Sequence, residues 1–303
     1  METILLALIL QLILFQLSSF LPLAVRCIFP NASPVFTDNA SEIIGIAAYV
    51  AIFCIPAYII GKYAVDSPDV QGHLFSCKLT LPKNAVSVAF TALGGIILIG
   101  YVSYIFRIGL ELSGIGIHGL PVDIPDDKLG TVLIFFSSVL VPAIVEEILY
   151  RGVLLHTLLP YGQTFAIIIS SAAFSIMHCN PTQFLYAFFG GFIFSHVAIK
   201  SGSIFYCMIL HFANNLISFL SLVISKHIPE ELASSVLMYV DAFFIIMGIA
   251  SFIYLTVKGF FDIDKVTEKK DLALSPYKSM LSMYTLIYVF YAIYLTLRWF
   301  YII

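Results

Sequence analysis

The sequence predicts an all-α fold, a polytopic membrane helical bundle of about eight to nine transmembrane helices. Three observations predict it. Apolar runs of about 20 residues recur along the chain, the length a helix needs to cross ~30 Å of hydrocarbon. Hydrophobic residues make up 60% of the 303 positions and charged residues 11%, with a mean hydropathy of +1.01, outside the range of soluble domains. The runs are continuous rather than alternating, which argues against a β-barrel.

Nine spans follow in order, at 3–25, 43–62, 85–109, 129–157, 163–179, 182–200, 203–225, 234–257 and 280–301. The first lacks a basic n-region and is longer than a signal-peptide core, so it reads as a retained helix. "SPDVQGHLFSCKLTLPK" connects the second span to the third, and "HGLPVDIPDDK" the third to the fourth. The fourth and fifth join through "LLPYGQ", the sixth and seventh through "KSGS", and 259–278 is a polar linker before the last. Residues 129–225 hold most of the intramembrane polar groups and form the expected catalytic core. Residues 1–128 and 226–303 supply the N-terminal and C-terminal helices. No internal repeat and no Gly/Pro-broken helices are visible, which weighs against a transporter.

Charge and cysteine content narrow the function. A net charge of −3 gives no reason to expect nucleic acid. Five cysteines without a CxxC pair suggest neither a disulfide framework nor a thiolate zinc site. With the N-terminus in the cytoplasm, the inner loops hold Lys62, Lys78, Lys83, Lys200, Lys258, Lys265, Lys269, Lys270 and Lys278. The outer ends hold Arg26, Arg107, Lys128, Lys226 and Arg298. The positive-inside rule therefore places the "LLPYGQ" and "KSGS" turns in the cytoplasm, and the expected site opens there. The membrane would be the plasma membrane of a bacterium or the endoplasmic reticulum of a eukaryote. "NAS" at Asn31 and Asn39 would be glycosylation acceptors in the second case.

Three polar clusters interrupt the apolar core. "SVLVPAIVEEILYRGVLL" carries Glu146, Glu147 and Arg151, although a charge near a bilayer centre costs ~2.5–3.5 kcal/mol. "SSAAFSIMHCN" carries His178, and "MILHFANNLIS" carries His211, Asn214 and Asn215. Glu147 and Arg151 are four apart and share a helix face, as an ion pair requires. Glu146 is turned by about 100° and points elsewhere. Gly162 is the midpoint of 146 and 178, so an antiparallel hairpin sets Glu146 beside His178, about 24 Å from the turn. His211 lies about 14 Å from "KSGS"; the clusters converge if the first hairpin extends a turn or two further. His196 reads as a packing histidine, and Arg107 with Glu111 as an interfacial pair.

These groups suit hydrolysis of an acyl bond, most simply a peptide bond. Arg151 would hold Glu147 ionised, leaving Glu146 to take a proton from water. His178 could orient that water or protonate a leaving amine. His211 and Asn215 share a face and could stabilise the oxyanion. No G-x-S-x-G elbow is present. Glu146, His178 and His211 could alternatively hold Zn²⁺, but no HExxH helix occurs, and glutamate-activated water without an obligatory metal is the favoured reading.

At these residues the sequence resembles a known family. "EEILYRG" is similar to the EExxxR motif of the CAAX-protease and bacteriocin-processing (CPBP) membrane peptidases, which include type II CAAX prenyl endopeptidases. "FSIMH", Phe174 to His178, resembles the family's FxxxH, and "HFANN", His211 to Asn215, its HxxxN. The resemblance covers about 138–218. It implies a catalytic role for Glu146, active-site places for His178, His211 and Asn215, and support from Glu147 and Arg151. It also implies a membrane-associated peptide substrate, CAAX-like or a leader or bacteriocin-type peptide. A non-catalytic immunity or scaffold protein of the same fold is the alternative.

Overall fold

The computed structural model describes residues 1–64, 81, 83–118, 123–262 and 282–302. Each of the nine sequence-read spans is a helix. They are α1 (Glu2–Ile28, with a turn at Ser19 and Phe20), α2 (Pro34–Tyr63), α3 (Ala85–Leu112), α4 (Lys128–Tyr161), α5 (Gln163–Met177), α6 (Pro181–Ser201), α7 (Phe205–His227), α8 (Glu230–Val257) and α9 (Met283–Leu297). Seven are long and apolar enough to cross a membrane; α5 and α9 are shorter. Most of the α2–α3 connector and of the polar linker before α9, with Cys77 and five of the nine inner lysines, lie outside the described residues.

Local chemistry sets the helix ends. Ser33, Asp127, Asn180 and Ser282 each accept a backbone N–H at the start of α2, α4, α6 and α9. Gly202 ends α6 at φ 63°, a left-handed conformation that glycine adopts without a Cβ clash. α5 has 15 residues, so it climbs only about 22 Å and stops short of a ~30 Å hydrocarbon layer. The chain then reverses through 178–180, with Cys179 at φ 45° and the Asn180 side chain accepting from Thr182 N at 2.9 Å. Irregular backbone at that depth is tolerated where protein or a water-filled cavity borders it.

α4 is not a uniform helix, contrary to the expectation of unbroken spans. It widens into π-helical turns at Phe136–Leu140 and Ile148–Leu155, on either side of the α-helical Val141–Glu147. Pro142 explains the first, since it donates no N–H to the carbonyl four residues back and its ring crowds that carbonyl. The second surrounds Arg151 and Gly152, and here His156 Nδ1 lies 2.7 Å from the Arg151 carbonyl. π-turns of this kind recur at functional sites.

The core is built round the second half of α4. Leu149, Tyr150, Val153, Leu154, Leu155 and Leu158 are fully buried against Leu12 of α1, Phe53 and Ile60 of α2, and apolar residues of α5 and α6. Tyr150 donates to Gln11 at 3.0 Å. On the far side α3 crosses α8 at Gly94 and Gly248, where a Cβ on Gly94 would lie 2.1 Å from the Phe244 carbonyl oxygen. Strand β1 (Ile115–Ile117) pairs antiparallel with β2 (Phe300–Ile302), fastening the segment after α9 to the loop after α3.

Polar contacts fasten the same face. Lys226 pairs with Asp126 at 2.6 Å, donates to the Ile124 carbonyl, and holds the Asp126 carboxyl below its ordinary pKa. Asp127 accepts from Gly130 N at 2.7 Å and from Asn39 Nδ2 at 3.1 Å. That amide nitrogen is also the atom a glycan would join, with one N–H left to donate. Arg107 pairs with Glu111 at 2.8 Å, as read from their spacing.

A cavity of about 970 Å³ enters the bundle, with Glu146, His178, His211, Asn215, Ser221 and Asp241 on its wall. Its α7 lining runs from His211 to Leu222, toward the His227 end and away from "KSGS". Its α4 lining begins at Ser137, toward the Lys128 end and away from "LLPYGQ". The expected short path from the site to the "KSGS" face is therefore corrected: the cavity extends the opposite way. A cysteine at Ser201 and a cysteine at Ser221 should be labelled by an impermeant reagent from opposite sides of sealed membranes. Labelling of both from one side would remove this orientation of the cavity.

Candidate active site

The site is built outward from Glu147. Its side chain is 0% exposed and that of Arg151 is 1% exposed, and Arg151 Nη1 lies 2.6 Å from Glu147 Oε1. The second π-turn does not spoil this pairing. His211 Nδ1, from α7, lies 2.8 Å from the same oxygen, so its N–H donates to the carboxylate. One carboxylate thus joins the guanidinium of its own helix to the imidazole of another.

The guanidinium is held by rings as well. It stacks on Phe174 at 4.4 Å and faces Phe194 at 5.3 Å, so α5 and α6 close on it from either side. Gly191 makes room: a Cβ there would sit 3.3 Å from Arg151 Nη2 and 3.1 Å from Ser171 Cα. Phe174 also meets His178, His211 and Tyr150 edge-on, at ring separations of 5.1, 5.9 and 5.2 Å. The aromatic residue of "FSIMH" is therefore the packing centre of the site.

Glu146 points elsewhere, as its rotation on the helix requires. Its Oε1 accepts from the Tyr49 hydroxyl, while Oε2 has no hydrogen-bond partner and lies 3.8 Å from His211 Nε2. The residue is only 3% exposed, yet it lines the cavity. His178, at the end of α5, lines it too. Its Nδ1 lies 2.8 Å from the Phe174 carbonyl, which can only accept; Nδ1 therefore carries the hydrogen, and in the neutral ring Nε2 keeps its lone pair. Asn215 accepts from Asn214 Nδ2 at 3.2 Å, which leaves its own Nδ2 as a donor at the cavity wall.

All six sequence-read residues thus gather around one cavity or its floor. His196 does not join them; it is buried, bonded to the Phe192 carbonyl and flanked by Phe192 and Phe261. Two contributors escaped the reading of spacing and charge, Tyr49 and the ring of Phe194. Tyr49 is one of 17 tyrosines, lies outside the motif-bearing segment and has no spacing relation to Glu146. Only its place four residues before the buried Phe53 gave a signal, and that signal was for packing.

Among the described residues no three His, Cys, Asp or Glu side chains gather as ligands. One Glu146 oxygen is occupied by Tyr49, and His211 Nδ1 is occupied by Glu147.

Residues 128–217 match the family model of the type II CAAX prenyl endopeptidase Rce1-like proteins. The match contains all three motifs and shows, over that segment, the resemblance read from them. No curated protein and no solved structure matches the chain. The matched family implies a CAAX-type intramembrane protease, and the helices make the protein an integral, multi-pass one.

Arg151→Ala should lower folded yield sharply, since stranding Glu147 costs about 3–5 kcal/mol. Glu147→Gln should be milder, because its amide oxygen still accepts from the guanidinium. Thermal unfolding in detergent checks both, and an Arg151→Ala protein as stable as wild type would show that the pair contributes nothing.

Proposed function

We propose that the protein is a membrane-embedded endopeptidase that hydrolyses a peptide bond with water activated by Glu146. The observation that carries this reading is the buried, unpartnered Oε2 of Glu146 at the cavity wall. Glu147 Oε2 lacks a partner too, but Glu147 is not on the cavity wall, so it is the open oxygen of Glu146 that adjoins the space where water and a peptide would come. Water held at Oε2 gives one proton to Glu146 and a hydrogen bond to His178 Nε2. The resulting hydroxide attacks the carbonyl carbon. The oxyanion is met by Asn215 Nδ2 and, in the protonated ring, by His211 Nε2. Glu146 then returns its proton to the departing amine, so protons balance over the cycle. Glu147 and Arg151 keep His211 in place, and Tyr49 fixes the Glu146 carboxylate plane.

The substrate is a membrane-associated peptide that enters from the face bearing the α3–α4 and α7–α8 connections. That face selects the substrate class. Were it cytoplasmic, CAAX-like termini would fit; were it external, as the lysine count has it, leader or bacteriocin-type peptides would. The Ser201 and Ser221 labels decide between them. A non-catalytic scaffold of this fold would keep its function with Gln at 146.

Glu146→Gln, His178→Ala and His211→Ala should each abolish cleavage of membrane peptides while the protein still accumulates, because residues acting as a unit lose activity non-additively. Cleavage surviving Glu146→Gln would remove glutamate as the base. Chelated, metal-free protein should keep its activity; restoration of a chelated, inactive protein by stoichiometric Zn²⁺ would overturn the mechanism and make Glu146, His178 and His211 ligands.

Tyr49→Phe should reduce kcat by roughly 10- to 100-fold with little change in KM, as expected for a group that orients a catalytic base. An unchanged kcat would show that the Tyr49 contact is structural.

A further inference from the structure

A second carboxylate on the cavity wall takes no part in the chemistry above. Asp241 lies 11 residues into α8, about 16 Å from its start and close to mid-membrane depth. Ionisable residues at that depth are expensive and tend to mark a binding or transport site. Its Oδ2 accepts from the Tyr101 hydroxyl of α3 at 2.8 Å, and among the described residues it has no ion pair. The bond runs along the seam where Gly94 and Gly248 already bring α3 and α8 together, seven residues after Gly94 and seven before Gly248. An asparagine would hold Tyr101 equally well. The carboxylate is needed only if something positive comes to it.

The cavity is built for that charge. Its wall carries two carboxylates, Glu146 and Asp241, and among the described residues no lysine or arginine. The unpartnered Glu146 Oε2 opens into the same space. Carboxylates facing a low-dielectric cleft concentrate the opposite sign, and Asp241 does so toward the mouth, away from the cation-capable His178 and His211. Tyr101 and Tyr104 add aromatic faces beside the carboxylate, the surroundings an ammonium or guanidinium prefers. His211 lies about 24 Å from the end of α7 and Asp241 about 16 Å from the start of α8, so Asp241 is the nearer to the mouth.

We infer that Asp241, supported by Tyr101, is a specificity subsite that binds a cationic side chain or amino group of the peptide. This deepens the proposed protease reading and rests on it for the identity of the ligand. Extended chain advances about 3.3–3.6 Å per residue, so the cation belongs within roughly four residues of the cleaved bond.

The test measures binding rather than turnover, using full-length protein in phosphatidylcholine nanodiscs. The probes are apolar peptides with N-methylated amides, alike except for one position holding Lys, norleucine or Glu. Wild type should bind the Lys peptide at least ~10-fold more tightly than the norleucine peptide and reject the Glu peptide. Asp241→Asn should bring Lys and norleucine to within about twofold, with the norleucine affinity unchanged, while Asp241→Glu keeps the preference. Should Asp241→Asn fail to fold, loss of the preference in Tyr101→Phe but not in Asp241→Glu supports the same conclusion. Equal affinities in wild type, or an undiminished preference in Asp241→Asn, overturn the subsite. The protease reading fails separately, if Glu146→Gln still cleaves or wild type cleaves nothing while the binding preference holds.

Discussion

The arrangement depends on a single carboxylate, that of Glu147. A charge buried among helices is tolerable only with donors close at hand, and Glu147 has two, Arg151 and His211, on one oxygen. Burying Arg151 in turn brings Phe174 and Phe194 onto its faces and favours glycine at 191. The second contact pulls α7 against α4, which is why the HxxxN segment reaches the EExxxR segment at all. Four helices are thus referenced to one buried ion, and the packing of α5 and α6 follows from its needs.

Adjacent positions on the helix allow two carboxylates to have separate tasks. A step of about 100° carries Glu146 away from Arg151 and toward α2 and the cavity. Glu147 is fully buried and bonded to cationic or cation-capable groups, which suits a fixed charge. Each carboxylate keeps one oxygen without a partner, but Glu146 bonds only a neutral phenol and lines the cavity, which suits an exchange of protons with water. Neighbourhood rather than residue type separates the roles.

Much of this was legible in the sequence because membrane helices announce themselves by length and apolarity. Their spacing also fixes faces: the four-residue step from Glu147 to Arg151 needed no structure to interpret. Convergence of the clusters was conditional on a longer α4–α5 hairpin, and the 2.8 Å contact of Glu147 with His211 brings the EExxxR and HxxxN segments together. What stayed illegible depends on three dimensions. Tyr49 reaches Glu146 from 97 positions away and carries no charge to mark it. The π-turns follow from how α4 is gripped on all sides, although Pro142 hinted at the first. The side on which the cavity opens could not be read from the distance between His211 and the nearest turn, since that distance says nothing of what fills the space between.

The direction of the cavity and the position of His178 have one cause. α5 stops at Met177 after 15 residues, about 22 Å, and the chain turns through 178–180 into the 21-residue α6. That shortfall of about 8 Å against a ~30 Å hydrocarbon layer leaves a recess on this face, bordered by Met177, His178, Gln183 and Tyr186. A full-length α5 would fill it and place residue 178 in the middle of a helix, its backbone sealed and its ring packed against neighbours. Ending the helix early puts the imidazole at a terminus and opens the recess beside it. It also lets the polar backbone of the 178–180 turn border the cavity rather than lipid. The early end of α5 is therefore the feature that sets His178 and the 178–180 turn on the cavity, beside charges that the bundle otherwise buries.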